Sequence, residues 1–472
     1  MFLRNMASIA HRIAVVDGFD NKLTYGELEK ISEDYKRCIP TRSLVMILCD
    51  YAIETIAFYY SQLSNESVPM LIDRKTKPDI LLKIIETYRP QFIWCVSGTE
   101  EYLATVAAER ICNAGNHLLI RLGFGRCEMD AGLALLLTTS GTTGSAKFVR
   151  LSYENLLFNI QAYVKKINIC EESRGITTLP MHHCYGLSLL HMHWLVGASI
   201  CVTDWSVLDV RFWDLLKKAG ATNFAGVSYT YEMLKQIDFL ENDYPSLRFV
   251  TQAGTKMNDA IKKEFSEGLR KKNVDFYICY GQTEASTFIS CLSYEDSLKR
   301  PDSVGEPLLG IDTFIENPDE RGVGELIVKG RTVSLGYAFG WEDLAQGDHN
   351  KGYLHTGDLV YTDEEGYLFI KGRKSRIVKL LGERISLDEL ETALTLHFSG
   401  TEFVCSGEDD RIAVFFSGSR TEKEVLDFCR QQFSIPGKLA VCCHIGELPR
   451  TGTGKVDYSE LRRIANKIPN RR

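Results

Sequence analysis

Short apolar runs alternate with amphipathic helical segments through the first 280 residues, and nothing else in the chain restricts its fold as strongly. Segments 44–48, 68–72, 92–96 and 133–137 read as strands, followed by 176–179, 200–202, 223–225, 249–251 and 275–278. Strands that are apolar on both faces, joined by stretches long enough for a crossover helix, imply parallel sheets covered by helices. Helix starts are marked as well. Thr24 and Glu27 have capping-box spacing ahead of Leu28, Ile31 and Tyr35, and Ser152 reads as an N-cap before the face Leu156, Leu157, Ile160, Val164 and Ile167. From about residue 301 the glycines are closely spaced and the strands short, which suggests a compact β subdomain. After Gly372-Arg373 a small α+β unit begins, with further capping-box spacings at Ser386/Glu389 and Thr421/Glu424. The expectation is an α/β chain. A large N-terminal domain, 1–372, would carry parallel-rich sheets flanked by helices, with its β-rich part at about 301–372. A small C-terminal α+β domain would span 373–472.

Bulk properties narrow the function. A net charge of -7 excludes a globally basic nucleic-acid surface, so an anionic ligand must be held by local groups. The 14 cysteines are scattered without a C-x-x-C pair, as expected of free thiols in a reducing cytoplasm. The N-terminus lacks a clean apolar block, and the run 187–202 is interrupted by His191 and His193. No signal peptide and no membrane span are expected.

The segment richest in chemistry is Thr138-Thr139-Ser140-Gly141-Thr142-Thr143-Gly144-Ser145-Ala146-Lys147, between an apolar strand and the helix capped by Ser152. Its glycines let the backbone curl so that N–H groups face an anion, its hydroxyls add donors, and Lys147 adds a cation. This is a triphosphate-binding composition. It is not the nucleotide-hydrolase P-loop, because no Gly-Lys pair is followed by Ser or Thr. Nor is it a dinucleotide fingerprint, since Gly123 and Gly125 are followed by Glu128 where a third glycine belongs.

The loop resembles the signature of the adenylate-forming, AMP-binding superfamily, which includes acyl-CoA synthetases, peptide-synthetase adenylation domains and luciferases. The resemblance continues in order through Leu179-Pro180-Met181-His182-His183-Cys184-Tyr185-Gly186, Tyr280-Gly281-Gln282-Thr283-Glu284, Tyr353-Leu354-His355-Thr356-Gly357-Asp358, Gly372-Arg373 and Pro449-Arg450-Thr451-Gly452-Thr453-Gly454-Lys455. It implies ATP-dependent activation of a small carboxylic acid to acyl-AMP with release of pyrophosphate, then transfer to a thiol. Coenzyme A is the expected acceptor, and the phosphopantetheine arm of an acyl carrier protein the alternative. A non-catalytic nucleotide sensor on the same fold is a third reading, opposed by the joint presence of Lys455, Glu284 and Asp358.

The resemblance also distributes roles. Thr139, Ser140, Gly141, Thr142, Thr143, Gly144 and Lys147 would hold the phosphates. Glu284 would ligate Mg²⁺, a hard cation suited to a carboxylate plus phosphate oxygens, and Thr283 would donate to the α-phosphate. Tyr280 and Gly281, with Gly254, Thr255 and Lys256, would enclose adenine, and Asp358 and Arg373 would hold the ribose. Lys455 would neutralise charge between carboxylate and α-phosphate. His183 and Ala253 would line the acyl site, with Gly254, Tyr229 and Tyr231 as further pocket candidates. A mobile C-terminal domain would turn about Ser375, bringing the loop 379–384 toward the thiol.

Departures from the family pattern are specific. Ala146 replaces a usual proline, Phe148 a usual glycine, and Ser375 a usual aspartate or lysine. Cys184 stands where amino-acid-activating domains carry an aspartate for the substrate ammonium, which favours an acyl or aryl acid. The cluster His182, His183, Cys184, His191 and His193 lacks the ordered ligand pairs of a zinc site, and Cys442-Cys443-His444 reads as a buried strand.

Overall fold

The computed structural model describes residues 6–103, 108–138, 147–380, 383–408, 411–433, 435–451 and 454–467. The chain divides into two compact units, 1–312 with 328–354, and 313–327 with 355–472.

The first unit contains two large mixed sheets. One has nine strands in the order Glu306–Pro307, Ser290–Leu292, Asp275–Tyr280, Phe249–Gln252, Asn223–Gly226, Arg174–Ile176, Ser199–Val202, Ile13–Asp17 and Lys22–Thr24. Its interior is parallel from Asp275–Tyr280 to Ile13–Asp17, and antiparallel pairs close both edges. The other has eight strands, with Leu133–Thr138, Val68–Asp73, Leu44–Cys49 and Phe92–Val96 as its parallel centre. Every residue of Leu44–Cys49 and of Asn223–Gly226 is buried, as parallel strands covered on both faces require.

Local signals act where the sequence places them. Thr24 accepts the Glu27 N–H while Glu27 reaches back to the Thr24 N–H at 2.7 Å, starting Tyr25–Lys36. Ser152 caps Tyr153–Val164, with Asn155 completing the reciprocal pair. Two segments differ from expectation. The run 176–179 ends as a strand at Ile176, and the Thr177 and Thr178 hydroxyls donate to Thr203 O and Ala225 O. The stretch after residue 147 is a strand, Phe148–Ser152, antiparallel to Leu133–Thr138, so the segment expected to bind phosphate lies between two strands rather than between a strand and a helix. Phe148 is buried edge-to-face against Tyr88, with ring centroids 4.9 Å apart, so it anchors the loop's exit in the core.

The second unit is built on a four-stranded sheet ordered Asp312–Glu316, Gly324–Lys329, Tyr353–Thr362 and Leu368–Arg373. Beyond it come the hairpin Ile377–Leu380 with Glu383–Ser386, and a three-stranded sheet of Glu402–Glu408, Arg411–Ser417 and Ala440–His444. Helices Leu387–His397, Glu422–Phe433 and Tyr458–Lys467 pack on these strands. Among the described residues, no helix is long and apolar enough to cross a membrane.

Candidate active site

Three adjacent parallel strands of the nine-stranded sheet, Asn223–Gly226, Phe249–Gln252 and Asp275–Tyr280, deliver their following loops to one edge. The carboxyl edge of a parallel sheet is where such folds bind ligands. Ala253, Gly254, Thr255 and Lys256 leave the middle strand there, and Gly281 to Glu284 leave its neighbour. Ala253 is buried, whereas Gly254, Thr255 and Lys256 are exposed. Gly254 has φ 91°, a conformation that suits glycine. The turn is fastened from below, as Gln252 Nε2 donates to Thr255 O at 2.7 Å and Ser228 Oγ to the same carbonyl at 3.0 Å.

Tyr280 ends its strand buried. A Cβ on Gly281 would lie 1.8 Å from Thr287 O, so glycine is required where these two backbone segments meet. Thr283 and Glu284 open a short 3₁₀ turn, and Ser334 N–H donates to Glu284 O at 2.9 Å. The Glu284 carboxylate accepts the Tyr337 hydroxyl at 2.6 Å. The Lys147 ammonium sits 4.0 Å from the centroid of that same Tyr337 ring. A cation and a carboxylate therefore meet at the face and the tip of one phenol. Desolvation, then the Glu284 charge, pushes the Tyr337 phenol well above its ordinary range, so it remains a donor. Thr139, Ser140, Gly141, Thr142, Thr143 and Gly144 lie outside the described residues.

His183 is the N-cap of Cys184–Val196, its ring 4.4 Å from that of His182. His182 is buried 4.0 Å from Asp73. Burial, offset in part by Asp73, lowers its pKa and favours the neutral ring. Cys184 Sγ accepts the Thr283 hydroxyl at 3.3 Å, which joins the start of helix Cys184–Val196 to the Glu284 turn. Next to it, the Tyr185 hydroxyl meets Thr251 Oγ1 at 2.7 Å, and Tyr185 and Tyr229 pack on Leu179, Ala225 and Val227. Tyr231 is fully buried, its hydroxyl donating to Thr251 O at 2.8 Å. His191 and His193 face the core. Their rings engage Tyr59 OH at 2.8 Å, and Leu189 O at 2.7 Å with Asn223 at 3.1 Å.

In the second unit, Asp358 and Arg373 are cross-strand partners, with Arg373 Nε 2.8 Å from the buried Asp358 carboxylate. Ser375 occupies the middle of the 3₁₀ turn Lys374–Arg376. Lys455 closes a turn in which Thr451 N–H donates to Lys455 O at 2.7 Å and Gly454 takes φ 76°. Arg450 secures that turn through Gly454 O at 3.1 Å and the Glu402 carboxylate at 2.6 Å.

Residues 2–338 match the family described as AMP-binding enzyme. The chain belongs to that family. It is an AMP-forming ligase, activating a carboxylic acid as its adenylate and passing the acyl group to a thiol. A 2-succinylbenzoate–CoA ligase of Bacillus mycoides (strain KBAB4) is 31% identical over 350 residues, covering 71% of this chain and 70% of that protein. The o-succinylbenzoate CoA synthetase of Bacillus subtilis with its acyl-adenylate intermediate superposes at TM-score 0.77 and 22% identity, over 98% of this chain and 97% of that one. The same synthetase with ATP and magnesium ion gives 0.76 and 23%, over 98% and 99%. These structures share the fold of this AMP-binding enzyme.

Proposed function

We propose that this AMP-binding enzyme joins ATP to an aryl or acyl carboxylic acid of the 2-succinylbenzoate class and hands the acyl group to coenzyme A. The convergence of Lys147 and Glu284 on Tyr337 carries the reading. Activation brings two anions together, so the protein must supply positive charge and alignment more than proton transfer. Glu284 would hold Mg²⁺, which when bound neutralises phosphate charge. Its carboxylate, steadied by one neutral donor, suits a hard cation. Lys147 would face the phosphates, Thr283 the α-phosphate, and Tyr280, Gly281, Gly254, Thr255 and Lys256 the adenine. Asp358 and Arg373, already paired, would present the ribose with an acceptor and a donor. Lys455 would enter between the reacting oxygens as the chain 373–472 turns about Ser375.

The acyl segment supports the choice of acid, because Cys184 stands where an amino-acid-activating domain carries an aspartate, and its Sγ accepts the Thr283 hydroxyl. His183 and Ala253 would flank the acid. The two coenzyme A ligases described above support a free thiol acceptor over a carrier protein. None of the fourteen cysteines is in a disulfide, which supports a reducing cytoplasm.

Pyrophosphate exchange is the test. Exchange should depend on an aryl or acyl acid, with 2-succinylbenzoate the first to try, and α-amino acids should fail. Coenzyme A should then release AMP and thioester from the complex. ATP binding without exchange, for any acid in a broad panel, would sink the reading.

A further inference from the structure

The segment Gly372-Arg373-Lys374-Ser375-Arg376 runs between two sets of acidic side chains. On the sheet side, Lys374 Nζ pairs with Glu325 Oε2 at 2.6 Å, and Glu325 Oε1 accepts the Gly357 N–H at 3.1 Å. Buried Glu325 thereby ties Lys374 to the turn that carries Asp358. On the helix side, the Arg376 guanidinium pairs with Asp388 and with Glu391 at the start of Leu387–His397. It also donates to Cys405 O at 3.2 Å and lies 4.7 Å from the Tyr458 ring centroid. Lys374 is thus anchored to the sheet and Arg376 to the helix Leu387–His397, with the turn at Ser375 between them; a few backbone positions between two anchored elements are where a chain can turn.

Asp388 bridges the two sides. Its Oδ1 pairs with Arg376, while its Oδ2 accepts the backbone N–H of Arg373 at 2.8 Å. Gly372 makes the approach possible, because a Cβ there would sit 2.8 Å from Asp388 Oδ2. The same Arg373 presents its side chain to Asp358.

We propose that Asp388 is the latch of the hinge at Ser375. Its bond to the Arg373 amide must open before helix Leu387–His397 can turn away from Leu368–Arg373, so Asp388 sets the balance between the orientation that makes the adenylate and the one that consumes it. This rests on the ligase reading. Asp388 is a positioning residue, acting through Arg373 and the hinge rather than on substrate. A bond between a carboxylate and a backbone N–H is charge-assisted, and its loss should shift a two-state balance by roughly tenfold.

Two readouts test the latch. In Asp388→Ala the Arg373 amide should exchange about tenfold faster than in the unaltered enzyme, with part of the protection restored in Asp388→Asn, which keeps an acceptor. The half-reactions, acid-dependent pyrophosphate exchange and thiol transfer from supplied acyl-AMP, should move in opposite directions, changing their ratio by about tenfold. Unchanged exchange at Arg373 would overturn the proposal, and so would an equal fall in both half-reactions. If Asp388→Ala does not fold, Gly372→Ala displaces the carboxylate with the Asp388 side chain intact and is judged by the same two readings. An unaltered enzyme inactive with every acid would refute the ligase reading instead. Arg373 protection needs no turnover, so the two failures are distinguishable.

Discussion

Tyr337 is the residue that the sequence did not single out, and it holds the candidate metal ligand. It lies 53 positions beyond Glu284, in a stretch expected only to be β-rich, and no motif spacing links the two. Tyr337→Phe keeps the ring beneath Lys147 and removes the hydroxyl from Glu284. With a hydrogen bond to a charged group worth about 1.5 kcal/mol, the Mg²⁺–ATP concentration for half-maximal exchange should rise roughly tenfold, with thermal stability little changed. A magnesium titration identical to that of the unaltered enzyme would remove Tyr337 from the site. Lys455, in contrast, is picked out by its glycine-flanked motif. Lys455→Ala should abolish acyl-adenylate formation and leave thiol transfer from supplied adenylate largely intact, and equal loss of both half-reactions would contradict its assigned role.

Among the elements, the strand Phe148–Ser152 directly follows the segment expected to bind phosphate. Its Phe-Val-Arg-Leu-Ser run carries no clear strand signal, because the arginine at its centre breaks the apolar pattern. Arg150 is nonetheless fully buried. Its guanidinium donates to the carbonyls of Tyr337 at 3.2 Å, Leu335 at 2.7 Å and Gly347 at 3.1 Å, and to that of Gln346. It thus pins the segment bearing Tyr337 alongside this strand. Arg150→Met should cost about 3–5 kcal/mol, since several buried carbonyls lose their donor at once. Urea denaturation measures that loss. Folded variant should also show weaker magnesium dependence than Tyr337→Phe alone accounts for, because the whole short strand Tyr337–Ala338 is released. A loss below about 1 kcal/mol would mean that water replaces the guanidinium.

Across the whole molecule, the buried histidines of Cys184–Val196 couple stability to pH. Burial lowers the His191 pKa to about 3, and burial, partly offset by the Leu189 carbonyl, lowers that of His193 to about 4. Unfolded, both would titrate near 6.5. Above that value neither state binds the proton and the full stability is present. As pH falls below it, the unfolded chain takes up protons that the folded chain refuses, so stability declines by up to about 2.7 kcal/mol per pH unit down toward pH 4. Urea midpoints measured from pH 7 to 5 should show that slope, and a His191→Gln, His193→Gln double variant should flatten it. An equal slope in both proteins would assign the acid sensitivity to other groups. The sequence by itself determined the α/β class, the parallel strands at the centre of the two large sheets, the helix caps at Thr24 and Ser152, and the order of the motifs. Apolar period, capping and turn chemistry act over a few residues, so contiguous residues suffice to show them. Only the tertiary structure decided which distant groups meet those motifs: Tyr337 beneath Lys147 and on Glu284, Arg150 on the segment bearing Tyr337, Glu325 on Lys374, and Asp388 on Arg373 and Arg376. Each of these contacts depends on the register of strands or the docking of a helix far along the chain, and that geometry is set by packing the whole core rather than by any local pattern.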